Sequence, residues 1–187
     1  MKSVLIAIRP QWVEKIASGE KTIEVRKTAP QEVPFKCYIY ETKGQYVKFT
    51  HGAHTKYGYG RGKVIGEFIC DKVYSIKNRG SSFSVADEEQ SVTNEIARQS
   101  CLYYDDMVSY FGNKDGFGWH ISDLTLYDKP KELSEFSRPC SYSGLCFSCK
   151  RTSFKKDGNL LCNTKITRPP QSWMHVEDLG EEKWNLN

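Results

Sequence analysis

The chain has 187 residues, enough for one domain with a full hydrophobic core and a small appendage. Plentiful charge alongside sufficient apolar residues excludes a disordered chain, and a net charge of +4 permits an anionic partner without demanding one. No run approaches the roughly 20 apolar residues of a membrane span. The opening stretch from Met1 to Ile8 is too short for a secretory signal, and Arg9-Pro10 ends it without a small-residue cleavage site, so a cytoplasmic protein with no membrane contact is expected.

Val4 to Ile8 is a continuous apolar run, the pattern of a strand covered on both faces. Trp12, Val13, Ile16 and Ala17 then fall at helical spacing, with Pro10 at the first turn and Gly19 just past the last. From Thr22 the period changes to two. Ile23 and Val25 point one way, while Glu24 and Arg26 share the opposite face about 7 Å apart. Lys21 stands at the strand's mouth. On pattern alone this is either an exposed strand edge dressed with charges or a charged site delivered by a helix.

The arrangement Gly19-x-Lys21-x-x-Glu24-x-Arg26, preceded by Ile8-Arg9-Pro10-Gln11-Trp12 and followed by Lys27, resembles the signature of the ASCH domain. That family belongs to the PUA-like group of small β-barrels, many of which bind RNA. Gly116-x-Gly118-Trp119 followed by Asp128-Lys129-Pro130 is similar to the last barrel strand of ASCH proteins, and Arg168-Pro169-Pro170-Gln171-Ser172-Trp173-Met174 resembles their closing segment. The resemblance implies an α+β fold: a small mixed β-barrel with flanking helices over residues 1–137, a cysteine-rich insertion over 138–164, and a return segment with a tail over 165–187.

Between the motif and these later segments, Phe35, Cys37 and Ile39 alternate with Lys36, Tyr38 and Tyr40 as a third strand. Residues 42–63 read as a glycine-rich loop without a single acid, in which Lys43, Lys48, Lys56, Arg61 and Lys63 are interleaved with Tyr46, Phe49, Tyr57 and Tyr59. Such a loop is either a solvated surface or one wall of a nucleic-acid groove, with cations for phosphates and rings for bases. Val64 to Val73 is read as one strand, with Val64 and Phe68 on one face and Ile65 and Ile69 on the other. Glu67 lies inside it. A bulge could turn its carboxylate to solvent; otherwise it needs a cationic partner, and Lys21 and Arg26 are the candidates. Residues 77–90 read as a polar loop, Ser91–Cys101 and Tyr104–Phe111 as helices, the first capped by Ser91 or Thr93, and Gly116 to Tyr127 as one strand ended by Asp128-Lys129-Pro130.

Of seven cysteines, Cys37, Cys70 and Cys101 sit among apolar neighbours as core residues, whereas Cys140-x5-Cys146-x2-Cys149-x12-Cys162 is a cluster in a stretch too polar to hold itself together. A structural zinc ion on four thiolates would do so, with His175 able to replace one; reduced thiols in a flexible insert or a redox pair are the alternatives.

Three functions stay open. The resemblance implies an RNA- or nucleoside-binding cleft with Lys21, Glu24, Arg26 and Glu67 at its floor, Arg9 and Trp12 at its rim, and Tyr57 and Arg61 on the wall. It also implies a hydrolase alternative, since some ASCH proteins are N4-acetylcytidine amidohydrolases with a Lys–Thr–Glu set and others are credited with ribonuclease activity. The family's lysine maps to Lys21 and its glutamate to Glu67, but its threonine nucleophile maps to Glu24, which could only activate a water. A protein-interaction module is the third.

Overall fold

The computed structural model describes residues 1–51, 54–80, 82–140, 152–154, 160–162 and 164–180. The opening run forms β1 (Lys2–Ile8), buried from Ser3 onward, followed where predicted by α1 (Pro10–Ala17), β2 (Ile23–Arg26) and β3 (Phe35–Glu41). β1 and β3 pair in parallel, Lys2 opposite Phe35 through Ile8 opposite Glu41. Both faces of β3 are buried, Tyr38 and Tyr40 as well as Cys37 and Ile39.

Residues 42–63 hold a hairpin rather than a loop, β4 (Gln45–His51) against β5 (His54–Tyr59). Its β-branched and aromatic residues outweigh its glycines, and pairing satisfies the backbone of two otherwise polar segments. Next come β6 (Val64–Cys70), β7 (Val73–Asn78) and β8 (Phe83–Val85), so the predicted 77–90 loop carries strand at its start and middle. In β6, Gly66 pairs with Ile39 and Val64 with Tyr40, leaving Ile65 as an extra residue. This bulge resets the alternation. Val64 and Phe68, expected on one face, lie in different cores.

The two helices appear as α2 (Gln90–Ser100) and α3 (Tyr104–Phe111). The cap of α2 is Glu89, and Thr93 instead accepts the Val85 N–H on its hydroxyl at 3.0 Å. Cys101 is half-buried in a left-handed conformation at the helix's end rather than in the core. The strand predicted from Gly116 divides at Ile121 into β9 (Gly116–His120) and β10 (Ser122–Lys131), which join different sheets; just inside β10, at a break in its register with β6, Asp123 has φ 47°. β10 also runs through the Asp128-Lys129-Pro130 expected to end it. Within the predicted insertion, β11 (Thr152–Phe154) pairs with β12 (Leu160–Cys162), while Cys146 and Cys149 lie outside the described residues. β13 (Trp173–Val176) returns to pair with β1.

A five-stranded sheet, β10-β6-β3-β1-β13, faces a four-stranded one, β2-β9-β7-β8. Among the described residues no hydrogen-bonded ladder joins them, so the expected closed barrel is instead two packed sheets. Between them Phe68 and Cys37 meet Val13 and Ile16 of α1, and Phe35 meets Trp119 edge-on at 5.1 Å. A second core covers the outer face of the larger sheet, where Tyr38 and Val64 pack under Phe136 and Ile166. A third seats α2 and α3 on Ile23, Val25 and Ile76. No helix among the described residues is long and apolar enough to cross a membrane.

Candidate functional site

The alternation in β2 decides where its charges go. Ile23 and Val25 face the helices, so Glu24 and Arg26 must face the gap between the sheets, and all four residues are buried. The turn at Gly19, with φ 76°, and a bond from the Lys21 N–H to the Lys15 carbonyl at 2.9 Å bring Lys21 alongside. Exposure falls to 2% for Lys21, 5% for Glu24 and 7% for Arg26. A cluster this dry persists only if its charges are matched. Glu24 Oε1 lies 2.9 Å from Arg26 Nη2, and Glu24 Oε2 lies 3.4 Å from Lys21 Nζ. Lys21 Nζ also donates to the Ser100 carbonyl at 2.6 Å, Arg26 Nη2 donates to that of Ala7 at 2.7 Å, and the ammonium lies 5.4 Å from the Trp12 ring centre. Burial holds the Lys21 ammonium below the usual lysine range, with Glu24 opposing the shift. Arg26 Nε, buried as well, has no acceptor among the described residues.

These side chains form the floor of an open cleft of about 640 Å³. Arg9 and Trp12 from the start of α1 line it, as the sequence suggested. Lys27, Asp106 and Tyr110, and the segment Pro170–Ser172, complete the walls. Asp106 and Tyr110 come from α3, and the Ser100 carbonyl that orients Lys21 comes from the end of α2. Neither helix carries a local pattern announcing a site. Lys27 and the return segment around Gln171 had been marked by the resemblance alone.

Glu67 is elsewhere. It pairs across with Tyr38 of β3, on the outer face of the larger sheet. Its carboxylate meets Lys36 Nζ at 3.4 Å and accepts the Tyr127 hydroxyl at 2.5 Å, so its cationic partner is Lys36 rather than Lys21 or Arg26. Lys36 reaches Asp178 too, at 3.3 Å, and the Tyr38 hydroxyl donates to Asp178 while accepting the Leu179 N–H at 3.1 Å. Burial, and then the bond to Glu67, push the Tyr127 phenol well above its ordinary range. Tyr57 stands half exposed on β5, and Arg61 turns its head group outward while its N–H donates to Glu41 Oε2 at 2.8 Å; neither lines the cleft. Trp119 is core, and His120 sits 2.6 Å from Asp71 outside the cleft.

Of the cluster expected to hold zinc, Cys140 is an exposed free thiol, Cys162 ends β12, and the other two lie outside the described residues. His175 is exposed on β13 with its ring against Trp173. Among the described residues no group of three or more His, Cys, Asp or Glu side chains is placed to hold a metal ion.

The crystal structure of a serine-to-alanine variant of the ASCH protein from Zymomonas mobilis superimposes with a TM-score of 0.54, covering 94% of this chain and 89% of that one at 17% identity. The chain has the ASCH fold. A second structure of the Zymomonas mobilis ASCH protein matches 71% of this chain and 74% of that one, with 20% identity and a TM-score of 0.49. No protein-family model matches the sequence, and no curated protein matches it significantly. The pairing of β13 with β1 matches the return of the chain expected from Arg168–Met174, whereas the separation into two sheets was not foreseen.

Proposed function

We propose that the chain is a nucleic-acid-binding module that takes RNA, through a nucleobase, in the cleft floored by Lys21, Glu24 and Arg26. One observation carries this reading: a carboxylate 5% exposed, locked between two cations, at the bottom of an open cleft. A carboxylate beside donors is the complement of a base edge bearing an amino group and an acceptor. Trp12 supplies a ring on which a base can stack, a contact of roughly 1–3 kcal/mol. The spare Nε–H of Arg26 supports the reading as a donor left unused among the described residues. Binding of short RNAs across a salt series tests it. Lys21→Ala and Arg26→Ala should weaken binding and flatten its salt dependence; unchanged slopes count against the cleft as the interface.

The hydrolytic route that couples Lys21 with Glu67 is not carried forward, because Glu67 is engaged by Lys36 and Tyr127 and does not line the cleft. The proposal includes a structural zinc ion on Cys140, Cys146, Cys149 and Cys162, on their spacing alone. Metal analysis of the purified chain should find close to one equivalent, lost on replacing Cys149.

A further inference from the structure

The cleft is more cationic than its floor requires. Glu24 answers Lys21 and Arg26 with a single negative charge, and the walls add Arg9 and Lys27 against Asp106 alone. Asp106 is occupied locally, since its carboxylate accepts the Tyr103 N–H at 3.1 Å at the head of α3. Arg9 and Lys27 are exposed, and among the described residues neither has a carboxylate partner. Lys27 only rests over the Tyr110 ring, 5.2 Å from its centre. Other cations on and near α1 behave differently. Lys15 is matched by Glu20 at 2.5 Å and Lys48 by Glu14 at 2.8 Å.

An occupant would meet a polar floor that reads hydrogen bonds, the rings of Trp12 and Tyr110 in the walls, and two exposed cations without carboxylate partners among the described residues. A neutral nucleoside would satisfy the floor and gain nothing at the mouth. We infer that the occupant carries a phosphate, held by Arg9 and Lys27, so that the chain selects nucleotides over nucleosides. The guanidinium of Arg9 can grip two phosphate oxygens at once, and Lys27 adds a point charge. Inside a cleft, with less water to screen it, that attraction exceeds its value on an open surface. The cleft's volume lies within the usual range for sites that enclose a small molecule.

This inference rests on the nucleobase reading proposed above, and one titration separates them. Calorimetry on the full chain at low salt would compare cytidine and adenosine with their 5′-monophosphates and with inorganic phosphate. The monophosphates should bind about ten-fold or more tighter than the nucleosides, a margin that shrinks as salt is raised. Arg9→Ala and Lys27→Ala, both at exposed positions, should each erase most of that margin, lowering monophosphate affinity several-fold more than nucleoside affinity. Equal binding of nucleoside and monophosphate overturns the phosphate site and leaves the base site standing. Inorganic phosphate binding as tightly as the nucleotides upholds the phosphate site and defeats the base reading. Binding of none of them defeats both.

Discussion

Two charged clusters lie on opposite sides of the same sheet, and they are built differently. Lys36, Glu67 and Asp178 are closed by tyrosine hydroxyls: Tyr127 caps one carboxylate and Tyr38 the other, and the Leu179 N–H completes the ring of bonds. That cluster fastens the segment after β13 to the sheet. Lys21, Glu24 and Arg26 are drier, yet among the described residues no side-chain hydroxyl seals them, and they open onto a cleft with ring walls and a cationic rim. Burial of charge thus marks both places. Only closure distinguishes the clasp from the site, because polar groups satisfied by their own chain have nothing left to offer a ligand.

The sharpest way to break this comparison is to remove the central acid of each cluster. Glu24→Ala strands two buried cations and should lower stability to urea by ~3–5 kcal/mol. Glu67→Gln, at a position about a quarter exposed, keeps an acceptor for Tyr127 and loses only the charge facing Lys36. A loss of about 1 kcal/mol is expected there, with ligand affinity unchanged. Similar losses in the two variants would erase the distinction between clasp and site.

A smaller effect separates the clusters by pH. Burial would raise the Asp178 carboxyl, but the Tyr38 hydroxyl and the Lys36 ammonium hold it below its ordinary range. A depressed carboxyl stabilises the fold at pH values above its unfolded pKa, and that contribution is lost as pH falls through the folded value. The clasp therefore weakens in acid, and the acid limb of a stability profile should flatten in Tyr38→Phe. Lys21 is depressed by burial, so its neutral form is favoured in the fold: its contribution is full above the unfolded lysine value and lost as pH falls through the lowered one. Raising the pH through that lowered value removes the Lys21 charge. The alkaline limb should then show firmer folding together with weaker anion binding, the latter vanishing in Lys21→Ala. The groups facing Lys21 are Glu24, Arg26 and Cys101, of which Glu24 and Cys101 raise its value and Arg26 lowers it.

The site's core was legible because it is local. Helical spacing up to Ala17, a glycine, then strict alternation set Glu24 and Arg26 on one face with Lys21 beside them. Its surroundings were not. Asp106 and Tyr110 reach the cleft only because α3 packs on Val25, a contact 80-odd residues away in sequence carries no local period, and the partner of Lys21 is a backbone carbonyl, which no side-chain pattern encodes. Glu67 failed for a related reason. Alternation shows that it opposes Phe68, but which face turns toward the cleft depends on register with Tyr38 and on the bulge at Ile65. The hairpin β4–β5 was hidden by its glycines, and the division of β9 from β10 falls at Ile121, an apolar residue that carries no break signal in the sequence.

The most direct test of the central claim follows side-chain resonances while a nucleotide is titrated into the labelled full chain. The account predicts shifts at the Lys21 ammonium, the Arg26 Nε–H and the Trp12 indole, with Tyr127 and Lys36 still. Shifts confined to Tyr127 and Lys36, with Lys21, Arg26 and Trp12 unmoved at saturation, would contradict it.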